Sequence, residues 1–156
     1  MTREDYMKEA LTLAKEAAQA GEVPVGCVIV RDGEIIGRGR NRREEKQAVS
    51  SHAEMEAMAQ ANAVLGSWRL EDCDLYVTLE PCPMCAGAIA NSRIDTVIIG
   101  AREEKSGAYG SALDINSTPI NHKPEVIFSV TENECAALLR DFFKRKRERG
   151  KRRTKE

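Results

Sequence analysis

The stretch that decides the fold is LYVTLEPCPMCAGAIANSRIDTVII, residues 75–99. Leu75-Tyr76-Val77-Thr78-Leu79 is a β-rich run. Pro83 suits the first turn of a helix, where its missing N–H would have no partner anyway. That helix runs to about Ser92, and Ile94 to Ile99 reads as a second buried strand. A strand, a helix and a strand in this order predict a parallel βαβ unit.

Upstream, Thr2-Arg3-Glu4-Asp5 has the form of a capping box. Met7, Ala10, Leu11, Ala14, Ala17 and Ala18 then recur at helical spacing, so a helix is expected from about 3 to 20, ending at Gly21. Val23 to Val30 is a short apolar run. Asp32-Gly33 and Glu34 to Arg38 follow it, which is a strong hairpin signal. Residues 41–50 are polar and read as a loop. Ala53 to Leu65 reads as a helix with Gly66 just past its end.

Downstream, residues 100–124 show little periodicity beyond a short helix near Ala112 to Asn116. Glu125 to Val130 is a fifth strand. Thr131-Glu132-Asn133-Glu134 is a second capping box, and Cys135, Leu138, Leu139 and Phe142 line one face of a last helix. The order α-β-β-α-β-α-β-β-α predicts a three-layer α/β/α sandwich on a five-stranded mixed sheet. The connection 100–124 is long enough for another parallel crossover.

The chain has 156 residues, which fits one domain. Aromatics are 4% of it, so the core must come from Ala, Val, Ile, Leu and Met. No apolar run approaches the roughly 18 residues needed to cross a bilayer, and the charged N-terminus has no signal-peptide pattern. Five cysteines and no export signal argue for cytosolic thiols or metal ligands over disulfides. The net charge of −1 is a cancellation. Residues 144–156 carry nine Lys/Arg and two Asp/Glu, a net of +7, whereas residues 1–143 carry a net of −8. The basic tail 148–156 is expected to be flexible.

The chemistry lies in His52-Ala53-Glu54 and Pro81-Cys82-Pro83-Met84-Cys85, each at the start of a helix. Two thiols three apart and one imidazole make a three-ligand zinc site: His52, Cys82 and Cys85. Three protein ligands leave a fourth position for water, the mark of a catalytic site. Zinc lowers the pKa of that water to ~7, and Glu54, two residues from His52, is placed to shuttle its proton. A CxxC alone would also fit a redox pair, but the paired HxE and PCxxC motifs are far more specific to zinc. Cys27, Cys73 and Cys135 read as packing residues. His122, in a polar loop, is a weak fourth-ligand candidate.

At these residues the chain resembles the zinc-dependent nucleobase deaminases, which carry the same H-x-E…P-C-x-x-C signature. Glu22-Val23-Pro24-Val25-Gly26, Gly39-Arg40-Asn41, Thr78 to Ala88, Ile99-Gly100-Ala101-Arg102 and Asp141-Phe142-Phe143 extend the resemblance to the bacterial tRNA-specific adenosine deaminases. It covers roughly Tyr6 to Arg147. It implies a cytidine deaminase-like domain over 1–147 and a hydrolase acting on a cyclic amidine C–N bond. It further implies one zinc ion per subunit, a cytoplasmic homodimer, and a tRNA anticodon stem-loop as partner. The implied reaction converts adenosine to inosine at the wobble position, in an arginine tRNA. Carried over residue by residue, Asn41 and Ala53 would meet the flipped nucleoside. Arg102, Glu103, Phe142, Phe143 and Arg145 would meet RNA. Glu103 stands where many members have Asp. Phe142 also fits a core-facing role, and the charge run fits a solvated tail. Deamination of a free base or nucleoside, and an inactive RNA-binding subunit, are the competing functions.

Overall fold

The computed structural model describes residues 1–155, the last four by their backbone alone. The βαβ unit forms as expected. Strand β3 (Cys73–Leu79), helix α4 (Pro83–Ser92) and strand β4 (Thr96–Ala101) follow one another, and β3 pairs with β4 in parallel. Strands β1 (Gly26–Arg31) and β2 (Glu34–Arg40) form the antiparallel hairpin. Asp32 (φ 49°) and Gly33 (φ 78°) supply the two positive φ angles that a tight two-residue turn needs. Strand β1 lies antiparallel to β3, and β5 (Glu125–Ile127) lies parallel to β4. The sheet order is β2-β1-β3-β4-β5, mixed and five-stranded as predicted.

The alternation of side chains along the strands builds two cores. Cys27 and Ile29 of β1 and Leu75 and Val77 of β3 face one side, beneath helix α3 (Ala53–Leu65) and α4. Val28, Val30 and Tyr76 face the other, beneath helix α1 (Arg3–Gln19) and helix α5 (Glu132–Lys155). This is the three-layer sandwich. Its largest fully buried side chains are Met, Ile, Leu, Val and Glu, none of them aromatic. The capping box of α1 forms: Thr2 Oγ1 accepts from the Asp5 N–H, and Asp5 Oδ2 accepts from the Thr2 N–H at 2.8 Å. Helix α3 rests directly on β2 because Gly37 and Gly39 present no side chain there; a Cβ on Gly39 would sit 2.6 Å from the Ala57 nitrogen.

Five expectations are corrected. Residues 41–50 are not all loop, since Arg43–Lys46 form a short helix, α2. Its first turn is held by a tertiary contact: the buried Glu22 carboxylate accepts from the Glu44 and Glu45 N–H groups at 3.0 and 2.7 Å. The helix near Ala112 to Asn116 is instead one 3-10 turn at Ile115–Ser117, capped by Asp114, whose Oδ1 accepts from the Asn116 N–H. Strand β5 is shorter than Glu125 to Val130, because Ser129 (φ 68°) and Thr131 (φ 57°) turn the edge strand into α5. Strands β1 and β4 also begin later than predicted, β1 only after Pro24, which has no N–H to give a ladder. Helix α5 carries the chain through the basic run 144–155; Glu156 lies outside the described residues.

Candidate active site

His52 is the N-cap of α3 and Cys82 the N-cap of α4, both in extended backbone. Neither side chain caps its own helix, so the imidazole and the thiol remain available for something else. Pro83 occupies the first helical position, and Cys85 follows within the same turn. The two helix starts converge beyond the C-terminal end of β3, where open α/β sheets place their ligands. Helix N-termini also favour negative charge, which suits thiolates.

His52 Nδ1 stands 3.7 Å from Cys82 Sγ and 3.6 Å from Cys85 Sγ. Tetrahedral zinc, with bonds of about 2.3 Å to sulfur and about 2.0 Å to nitrogen, holds a nitrogen and a sulfur about 3.5 Å apart. Both nitrogen–sulfur edges therefore match tetrahedral zinc, and all three donor atoms lie within 4.8 Å of one another. The donor triangle is the single group of three metal-ligand side chains among the described residues. His122 is spent elsewhere, its Nε2 2.6 Å from the Ile94 carbonyl. Cys27, Cys73 and Cys135 are buried in the packing, as expected, and all five cysteines are free.

Charge in the triangle is shared unevenly. A hydrogen bond from Cys85, with a second from His52, brings the Cys82 thiol down to about 4. Cys85, as donor in that bond and buried, is pushed up. His52 is raised by its bond to Cys82. Glu54, in the first turn of α3, is 4% exposed. Burial lifts its carboxyl to about 7, against the opposing pull of the His52 charge. A proton shuttle works best with a pKa near the working pH.

The cleft over this triangle is lined by Asn41, Ala53, Glu54 and Glu103 among the residues singled out from the sequence. Asn41 is buried, and its Oδ1 accepts from the Arg43 N–H at 3.1 Å, leaving the side-chain NH2 to offer to a ligand. Glu103 lines the same cleft and accepts from the Lys105 N–H. The other four lie outside the cleft lining. The Arg102 guanidinium stacks 3.9 Å over the Phe128 ring. Phe142 and Arg145 border a groove between the end of α1 and α5, together with Lys146 and Arg149. Phe143 is exposed and meets Phe142 edge-on.

Sequence reasoning missed several lining residues: Val23, Val25 and Leu79 as apolar walls, Arg43, Ser106 and the buried Glu80. Val23, Val25, Leu79 and Glu80 stood inside segments already picked out by resemblance. Arg43 and Ser106 carried no sequence signal, because their place depends on how two loops fold.

Removing an exocyclic amine with water takes an acidified water and a carboxylate to ferry its proton. A metal triangle with a near-neutral buried carboxylate beside it serves that chemistry, and it places the molecule among the hydrolytic nucleobase deaminases. Comparison with known proteins narrows this. The MafB19-like deaminase family model matches residues 1–147. A tRNA-specific adenosine deaminase of Bacillus subtilis (strain 168) is 47% identical over 153 residues, covering 97% of this chain and 95% of the relative. One from Streptococcus pyogenes serotype M18 is 48% identical over 147 residues, covering 94% and 92%. A solved structure from work on A-to-I editing by tRNA:A34 deaminases at the wobble position superposes with a TM-score of 0.85 at 43% identity, over 86% of this chain and 99% of the other. A guanine deaminase from Bacillus subtilis shares 44% identity over 65% of this chain and 66% of its own, with a TM-score of 0.63. The chain belongs to the family of tRNA-specific adenosine deaminases.

Proposed function

We propose that this protein converts adenosine to inosine at the anticodon wobble position of a tRNA, an arginine tRNA first among them. It acts with one zinc ion per subunit, as a cytoplasmic homodimer. The observation that carries the reaction is the His52–Cys82–Cys85 triangle with Glu54 buried next to it. The substrate class rests on the near-full-length likeness to tRNA-specific adenosine deaminases. No described helix is long and apolar enough to cross a membrane.

His52, Cys82 and Cys85 would hold the zinc, which when bound acidifies a water to a pKa of ~7 and so supplies a nucleophile at neutral pH. Glu54 would take a proton from that water and give it to N1 of the adenine as C6 is attacked; it would then take the proton of the new C6 hydroxyl and pass it to the amino group, which leaves as ammonia as the C6 carbonyl forms. Backbone N–H groups at the helix starts, near Ala53 and Cys82, stabilise charge that develops in the ring. Asn41 offers its amide to the flipped nucleoside. Val23, Val25 and Leu79 exclude water from the base. An anticodon loop is single-stranded, so extruding its base costs little beyond unstacking. Arg102, Glu103, Phe142, Phe143 and Arg145 take the flanking RNA.

The test is to give the zinc-loaded protein an anticodon stem-loop, free adenosine, cytidine and guanine in parallel. Inosine from the stem-loop is the expected product. Product from a free substrate alone would refute the tRNA reading, and guanine turnover would favour the free-base deaminase that one structural match suggests. RNA binding with no product from any substrate would point to an inactive binding subunit. Light scattering at micromolar concentration reads the dimer; a monomer there overturns that part.

A further inference from the structure

We propose that Glu80 is a positioning residue that fixes the 103–111 rim of the cleft and thereby sets how tightly substrate is held. The inference rests on the cleft being the substrate site.

Glu80 is 3% exposed and forms no ion pair among the described residues. Its carboxylate is nonetheless filled. Oε1 accepts from the Glu103 N–H at 3.1 Å and from the Ser111 hydroxyl. Oε2 accepts from the Tyr109 N–H at 3.0 Å and the Ser111 N–H at 3.2 Å. Four donors match the acceptor capacity of one carboxylate. All of them come from a segment that leaves β4 at Ala101 and reaches no further helical element until Ile115. Glu80 is itself anchored. Its N–H donates to the Ala101 carbonyl at 2.8 Å, and the next carbonyl, of Pro81, accepts from the Ala108 N–H at 2.9 Å. One side chain thus ties the turn that carries Cys82 to the loop that carries Glu103 and Ser106, both of which line the cleft. Space around it is tight: a Cβ on Gly107 would overlap the Glu80 carboxyl and lie 2.5 Å from the Glu103 carbonyl.

A glutamine in this place keeps the shape and loses the function. Its NH2 would face N–H and O–H donors, and part of the rim would lose its acceptor. Because Glu80 touches the rim and not the reacting atoms, substrate binding should suffer while the chemical step is spared.

The test uses zinc-loaded Glu80→Gln and, as a milder second variant, Ser111→Ala, which takes one partner from the carboxylate without altering Glu80. Zinc content, amide hydrogen exchange across 103–111, and KM and kcat on whichever substrate the wild type turns over are measured together. Expected for Glu80→Gln are stoichiometric zinc, exchange faster by about tenfold or more in 103–111 with α4 unchanged, and KM raised about tenfold with kcat nearly constant. Ser111→Ala moves the same readouts in the same direction by less. Unchanged exchange in 103–111 for both variants overturns the proposal, as does faster exchange with KM unchanged. If Glu80→Gln loses zinc or fails to fold, Ser111→Ala decides by the same two criteria. Exchange needs no substrate, so a wild type inactive on the stem-loop would sink the tRNA reading without touching this one.

Discussion

Gly39→Ala should disarm the metal site from the far side of helix α3. The Cβ it adds would lie 2.6 Å from the Ala57 nitrogen and 2.9 Å from Glu56 Cβ, and would overlap the Ala53 carbonyl; ordinary contact begins at 3.4 Å. Helix α3 must therefore lift by about 1 Å where it starts, the part that carries His52 and Glu54. Metal sites hold their ligand distances to about ±0.2 Å, and a misplacement of about 1 Å costs about a hundredfold in rate. Gly37→Ala is the control. Its Cβ meets Ala57 and Ala61, one turn further along. Both variants should lose about 1–3 kcal/mol of stability through overpacking, a fall of ~2–4 °C in Tm per kcal/mol. Gly39→Ala alone should also lose much of its zinc by metal analysis and about a hundredfold in turnover of the stem-loop. Wild-type zinc and turnover in Gly39→Ala would refute the claim that this glycine seats the ligand-bearing end of the helix. Equal zinc loss in both variants would refute the distinction between them.

Three further outcomes are expected. Glu54→Ala should keep stoichiometric zinc and lose about 10²–10⁴-fold in turnover; normal deamination by this variant would remove Glu54 from the proton path. Cys82→Ser should lose zinc, and metal analysis showing one ion per chain would reject Cys82 as a ligand. Deleting 148–156 should flatten the dependence of tRNA affinity on salt, since each lost phosphate contact lowers the slope of log K against log salt by about 0.9 at most; an unchanged slope would leave the tail a solvated extension.

The chain's local patterns were enough to specify most of the fold. The βαβ stretch over 75–99, the Asp32-Gly33 turn and the capping box at Thr2 are short-range devices, each acting through its own residues, and each appears where its sequence says. The metal triangle was legible for the same reason. Thiols three apart at a helix start share a side whatever surrounds them, and His52 had few other roles open to it.

What only the tertiary structure decided depends on buried carboxylates reaching across the chain. Residues 41–50 read as loop because they carry no apolar stripe to bury; Glu22, 22 positions from the Glu44 N–H it accepts, holds the first turn of the short helix there. The rim at 103–111 has no periodicity because Glu80, 31 positions from Ser111, provides its order. Strand β5 stopped short where Ser129 and Thr131 turned the chain into α5. The residues assigned to substrate by resemblance were also divided by the tertiary structure. Asn41, Ala53 and Glu103 line the cleft, while Arg102, Phe142, Phe143 and Arg145 lie beyond it. Sequence spacing alone determined that Cys82 and Cys85 share one side of a helix start, because helix geometry is local; their meeting with His52, 30 positions from Cys82, belongs to the tertiary structure. Which walls surround that donor set was settled only when distant acceptors met the backbone donors they satisfy.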